Sequence, residues 1–278
     1  MQDTAPHSYW YYDKTELNQD ILRDTFRELI GSLNLPGPAK VLDLASGLGS
    51  MVKVFKEIYD DIEAEFTCVD IDDFALEVAK SDLGTENIQF ISGDVQNLEL
   101  SDNCFDLVIF ANAIHNIPNK LKALEEAFRV TKPGGFLFGV TTFTKESMPQ
   151  ETTTFYQRAT AIAVRKLREL GAPREQKQER MEFLPIDAYH KLLEQAGWFS
   201  IVVKTLWRNV YLDVWQAIAR DEDFASGVLR GYPPGQAANV LADAIAEALK
   251  ITGYPDSKGD PYIPRLWMYF RSQKPATT

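Results

Sequence analysis

The residues best suited to chemistry lie in one short stretch, Lys40 to Ser50, which reads Lys-Val-Leu-Asp-Leu-Ala-Ser-Gly-Leu-Gly-Ser. An apolar run of Val41, Leu42 and Leu44 breaks there into small residues, and a helical pattern follows with Met51, Val54, Phe55 and Ile58 on one face. This is a strand, a glycine turn and a helix. With no bulky side chains in the way, backbone N–H groups and the positive helix start can approach an anionic or polar ligand. Two familiar ligands of such turns fit poorly. A nucleotide-binding loop needs Lys-Ser or Lys-Thr after its second glycine, and none is present. A dinucleotide fingerprint needs a small residue three positions after Gly49, and Val52 is the residue at the equivalent place of that pattern.

From Lys40 to Val140 short apolar strands alternate with amphipathic helices, the pattern of an α/β fold whose parallel strands are joined by right-handed crossovers. Strands are expected near 40–44, 65–70, 88–92, 106–110 and 135–142. One helix starts at Asp72 or Asp73 as N-cap and another spans 119–131, before a Lys132-Pro133-Gly134-Gly135 turn. Ahead of this unit, residues 8–14 (Ser-Tyr-Trp-Tyr-Tyr-Asp-Lys) precede a helix carrying Leu17, Ile21, Leu22, Phe26, Leu29, Ile30 and Leu33. They form either an aromatic anchor or a lid. After Val140 the rhythm changes: a long helical pattern at 155–170, a helix at 185–197, a strand at 199–207, three helical segments near 211–220, 222–230 and 235–252, Gly- and Pro-rich loops to Pro264, and a final strand at 266–271. The expected division is an N-terminal lid and helix (1–39), a core (40–143, 184–207 and 265–273) and helical insertions (144–183 and 208–264).

A formal charge of −11, from 29 basic and 40 acidic residues, is the wrong sign for holding phosphate backbones, so a nucleic-acid partner is not expected. Hydrophobic residues make up 45% and charged residues 25%, as in ordinary globular chains. Cys68 and Cys104 sit in apolar strand contexts and read as reduced thiols, which makes cytoplasm the expected compartment. No leader-like start and no run of 18 apolar residues is seen, so no membrane association is expected, and no metal site. Monomer and homodimer are both open.

Several segments together resemble class I S-adenosylmethionine-dependent methyltransferases, the small-molecule, ubiquinone-biosynthesis-like branch. Val41-Leu42-Asp43-Leu44-Ala45-Ser46-Gly47-Leu48-Gly49 is similar to that family's first motif, and Val69-Asp70-Ile71-Asp72 to its acidic end of strand two. Gly93-Asp94-Val95-Gln96-Asn97-Leu98 resembles the third-strand motif and Phe105-Asp106-Leu107-Val108-Ile109-Phe110-Ala111-Asn112 the fourth. Lys132-Pro133-Gly134-Gly135-Phe136-Leu137 and Leu193-Glu194-Gln195-Ala196-Gly197-Trp198 match the approaches to strands five and six. The order and spacing of six motifs across residues 40–200 carry the resemblance. It implies a Rossmann-like, doubly wound, seven-stranded sheet, mainly parallel with an antiparallel last strand, bearing helical caps.

The resemblance implies S-adenosylmethionine as methyl donor, S-adenosylhomocysteine as product, and a small-molecule acceptor. A carboxylate 21 residues beyond Gly49, Asp70, stands where a strand-two end accepts hydrogen bonds from ribose hydroxyls. Asp94 and Val95 would read the adenine edge, with Ile71, Ser46, Gly47, Gly49, Ala111 and Asn112 completing the donor site. Asp43 faces either the methionine part or the loop amides. The family usually has Gly where Ala45 stands, and alanine is expected to be tolerated there at negative φ. His115, after strand four, either takes a proton from a hydroxyl, amine or acidic carbon, or packs and hydrogen-bonds beside the donor. His7 and His190 read as structural. Tyr11, Tyr12, Tyr156, Trp207, Tyr211 and Trp215 are the candidate acceptor-binding residues, with core packing as the alternative for each. Asn112-Ala113-Ile114-His115 lacks the Pro-Pro-aromatic pattern of nucleic-acid amino-methylating enzymes. Methylation of a hydrophobic or aromatic metabolite on oxygen, nitrogen or carbon is therefore expected. The alternatives are a non-methylating enzyme, such as a cyclase, that keeps the donor as scaffold, and a partner subunit with a vestigial site.

Overall fold

The computed structural model describes residues 12–174 and 183–276, and these divide into two compact units. One unit comprises Gln19–Lys145, Leu184–Leu206 and Trp267 onward. Its strands are β1 (Ala39–Leu44), β2 (Ala64–Asp70), β3 (Ile88–Ser92), β4 (Phe105–Ala111), β5 (Thr131–Thr141), β6 (Phe199–Val210) and β8 (Pro261–Gln273), the last two running beyond the unit's limits. The sheet order is β3-β2-β1-β4-β5-β8-β6. β1 pairs parallel with β2 and β4, β2 with β3, and β4 with β5, whereas β8 lies antiparallel to β5. The mainly parallel sheet with an antiparallel final strand is thus observed. An eighth strand, the two-residue β7 (Tyr254–Pro255), pairs with the start of β8 and was not read from the sequence.

The central strands read as near-continuous apolar runs because both faces are covered: β4 is buried at six of its seven positions. Helices α1 (Glu16–Leu29), α2 (Ser50–Ile58), α3 (Asp73–Leu83), α4 (Lys120–Val130) and α6 (Ile186–Gln195) follow the expected amphipathic pattern. Leu42, Val108 and Phe110 of the sheet share one apolar cluster with Leu124 and Ala127 of α4 and Tyr189 and Leu193 of α6. Phe26 of α1 meets the Phe138 ring edge-on at 5.2 Å. Residues 132–135, expected as a turn before strand five, are instead part of β5. There the register slips, Phe105 facing Thr131 while Leu107 faces Phe136, and Gly134 takes up the excess chain at φ +82°.

The other unit comprises the residues up to Asn18, Glu146–Phe183 and Trp207–Leu266. It holds α5 (Gln150–Glu169), α7 (Leu212–Ala219), α8 (Glu222–Val228) and α9 (Pro234–Thr252). The buried face of α9 is rich in alanine (237, 238, 242, 244 and 248), which lets it lie close against α5, α7 and α8. No helix among the described residues is long and apolar enough to cross a membrane.

Candidate functional site

Strands β1 to β4 point the same way, so their C-terminal ends share one edge of the sheet, and the order changes direction between β1 and β4. Ligands of doubly wound sheets bind at such a switch point. The glycine turn leaves β1 there. Ser46 N–H donates to Val69 O at 3.1 Å and Gly49 N–H to Ser46 O at 2.9 Å, while Gly47 and Gly49 adopt φ of +50° and +73°. A Cβ on Gly49, which caps α2, would lie 2.4 Å from Leu83 Cδ1 of α3, so the missing side chain also lets the turn pack on that helix.

Ala45 corrects the sequence expectation. Its φ is +51°, not negative, because the chain already turns left-handed one residue after β1. The Cβ of an L-residue crowds the next carbonyl in that region. Ala45→Gly is therefore expected to stabilise the fold by about 0.5–1 kcal/mol, the relieved crowding exceeding the added freedom of the unfolded chain. A higher urea midpoint at unchanged slope is the readout.

Asp70 closes the turn from β2. Its Oδ2 accepts Gly47 N–H at 2.7 Å and its Oδ1 accepts Asp72 N–H at 2.9 Å, and the residue is 8% exposed. Burial pushes its carboxyl above the usual range, although the amide hydrogen bonds from Asp72 and Gly47 pull the other way. Ile71 follows with 77% exposure. Asp72 caps α3, its Oδ1 accepting Phe74 N–H at 3.0 Å and Ala75 N–H at 3.3 Å. Asp43 is buried on β1, paired in register with Cys68 and Ile109, and burial, with the Asp43 charge second, keeps Cys68 a thiol.

After β3, Asp94 is exposed and accepts from Gln96 N–H at 2.8 Å, while the Val95 side chain turns into the core. Gln96 Oε1 accepts Asn119 N–H at 2.9 Å, which ties this loop to the start of α4. Beyond β4, Ala111 is half-buried, and Asn112 is left-handed at φ +53° with its N–H donating to Val140 O at 2.8 Å. A short 3-10 turn, Ile114–Asn116, then carries His115. The imidazole is 7% exposed, lies against the Phe143 ring with centroids 4.0 Å apart and planes at 27°, and places Nδ1 3.0 Å from Thr141 Oγ1. Neither Thr141 nor Phe143 was picked out in the sequence. The signal available was the pairing of β4 with β5, Ala111 opposite Val140, which sets the two strand ends side by side.

The candidate acceptor residues that are described lie in the other unit. Tyr156 and Trp215 form one aromatic group with Phe155 and Phe224, Trp215 being fully buried. Arg265, 1% exposed, donates to Tyr156 Oη at 3.0 Å and lies 5.3 Å from the Trp215 ring centre. Burial pushes the Tyr156 phenol up, against the pull of that guanidinium. Tyr211 is elsewhere, beside Tyr262 with its hydroxyl 3.3 Å from Asp256 Oδ2, and Trp207 is 49% exposed. Tyr12 accepts from Thr15 N–H and Oγ1 through its carbonyl, and Tyr11 lies outside the described residues.

A protein-family model described as a methyltransferase domain matches residues 42–139, the span that contains the turn, Asp70, Asp94 and His115. Residues 42–139 are similar to a methyltransferase domain. Demethylmenaquinone methyltransferase of Staphylococcus epidermidis is 33% identical to this chain over 112 residues, which is 40% of this chain and 46% of that protein. The ubiquinone/menaquinone biosynthesis C-methyltransferase of Psychromonas ingrahamii is 39% identical over 102 residues, 35% of this chain and 40% of the relative. The match thus spans less than half the length of these curated relatives. Among solved structures, one from Bacillus halodurans, assigned as a candidate methyltransferase, aligns with a TM-score of 0.60 at 18% identity, covering 92% of this chain and all of the other. A phosphoethanolamine N-methyltransferase of Haemonchus contortus, solved with S-adenosylhomocysteine, aligns at 0.58 with 13% identity, covering 96% of this chain and 56% of the other. A 4+2 cyclase aligns at 0.54 with 17% identity, covering 94% and 82%. At these identities the three show a likeness of fold alone.

Proposed function

We propose that the protein transfers the methyl group of S-adenosylmethionine to a small hydrophobic or aromatic acceptor. The observation that carries this reading is Asp70. Each of its carboxylate oxygens accepts one backbone N–H, and a carboxylate oxygen has two acceptor positions. The same group can therefore hold a ribose diol without releasing the glycine turn. Ile71, exposed beside it, offers an apolar surface to a base, and the Asp94–Val95 segment supplies polar atoms for the base edge. The bound donor supplies an electrophilic methyl carbon on a sulfonium. The chain's part is to align the acceptor and exclude water, and His115, held by Phe143 and Thr141, is the polar side chain assigned to the acceptor.

The two curated relatives are named for demethylmenaquinone methylation and for C-methylation in ubiquinone/menaquinone biosynthesis, which makes a hydroxylated aromatic ring the first acceptor to try. The protein is to be incubated with methyl-labelled S-adenosylmethionine and a panel of demethylated quinols and phenols. Label in an acceptor, matched by S-adenosylhomocysteine, is the expected result. If an acceptor is converted equally well with S-adenosylhomocysteine replacing the donor, the donor is a scaffold and the proposal fails.

A further inference from the structure

Thr141 is fully buried at the end of β5, and its hydroxyl has two partners among the described residues. Phe143 N–H donates to Oγ1 at 3.1 Å, a local turn that fixes one lone pair of the oxygen. His115 Nδ1 lies 3.0 Å from the same oxygen. A hydroxyl has one hydrogen to donate, and the acceptor within reach of it is Nδ1. If Nδ1 instead carried the proton, both N–H groups would point at Oγ1 and the hydroxyl hydrogen would be left in a buried site without an acceptor. The arrangement that satisfies every group runs Phe143 N–H to Oγ1, then Oγ1–H to Nδ1, and it leaves the imidazole proton on Nε2.

We infer that Thr141 is a positioning residue that holds His115 as the neutral Nε2–H tautomer, so that the imidazole meets the acceptor as a hydrogen-bond donor and not as a proton acceptor. The inference rests on the methyl-transfer reading and sharpens its substrate class. The acceptor then carries an oxygen able to accept a hydrogen bond, a carbonyl, phenolate or enolate, next to the atom that is methylated. The Phe143 ring stacked on the imidazole keeps it in the plane this chain of hydrogen bonds requires.

The test is 15N NMR of the histidine side chains in the full chain at about pH 8, above the ordinary imidazole range. Of the three histidines, His115 is assigned by comparison with His115→Gln. The expected spectrum shows a pyridine-like Nδ1 and a pyrrole-like Nε2. Thr141→Ser should keep it, and Thr141→Val, which preserves the shape but removes the hydroxyl, should lose the pyridine-like Nδ1 signal or mix the tautomers. A wild-type Nδ1–H tautomer or a doubly protonated ring would overturn the inference, as would a Thr141→Val spectrum unchanged from wild type. Titration of the same sample with S-adenosylhomocysteine reads out separately. Absence of binding overturns the donor site, while the tautomer signals report on Thr141 alone.

Discussion

Asp70→Ala is expected to weaken S-adenosylhomocysteine binding at least 100-fold by calorimetry. A hydrogen bond to a charged acceptor contributes roughly 1.5–3 kcal/mol, and tenfold in affinity corresponds to about 1.4 kcal/mol. Losing two ribose contacts therefore exceeds two orders of magnitude even when part of it is recovered by water. The substitution also removes the acceptor for Gly47 and Asp72 N–H, so the turn loosens with the ligand contacts. Asp70→Asn separates the two roles incompletely: its one oxygen serves one amide while its NH2 faces the other. The carboxylate form is the one that accepts from both amides and both hydroxyls, and burial raises the carboxyl's pKa. Affinity should thus fall as pH is lowered through that raised value, earlier on acidification than an ordinary aspartate would give. The sign is opposite for the stability of the empty protein. A carboxyl raised on folding adds stability at low pH that is lost as pH rises through it, so the site is less stable at neutral pH than at its acid edge. Affinity that is flat down to the ordinary aspartate range would show that Asp70 does not touch the ligand.

Gly139→Ala should be the most damaging single methyl group added to the sheet. Gly139 of β5 stands opposite Phe270 of β8, whose ring is fully buried and covers it. A Cβ at this position would lie 2.3 Å from Cζ and 2.5 Å from Cε1 of that ring. The ring has no room to swing in a packed core, so the strands must part, at about 2–3 kcal/mol. The cost is steric, since no left-handed conformation is involved at this glycine. Pairing the change with Phe270→Leu should recover about half of the loss in a double-mutant cycle. A Gly139→Ala protein that unfolds at the wild-type urea concentration would mean that β5 and β8 are less tightly joined than the structure shows.

The strands were legible wherever apolar runs were uninterrupted: 88–92 matches β3 at both ends, and of the two N-caps the sequence left open, Asp72 and Asp73, it is Asp72 that caps the helix. Errors collect where proline and glycine normally signal loops. Lys132-Pro133-Gly134-Gly135 sits inside β5 as a bulge, and β8 begins at Pro261, five residues before the expected strand, because a short ribbon with Tyr254 and Pro255 recruits it. Helix α5 starts at Gln150, not 155, since three threonines hide its first turn. At the site, residue types located the glycines and Asp70, but backbone sign at Ala45 was not readable from an alanine. Thr141 was invisible for another reason. Its partner is 26 positions away, and only knowledge of which strands are neighbours brings them together.

The place of β8 bears on how the chain is made. It follows every other strand in sequence yet lies between β5 and β6. On the ribosome, the edge of β5 from Phe136 to Thr141 waits unpaired until residues 268–273 emerge, more than 120 residues later. An open edge of apolar strand held for that long is a template for wrong pairing. Nascent chains halted before Trp267 should accordingly depend on chaperones that chains released after Gln273 can do without.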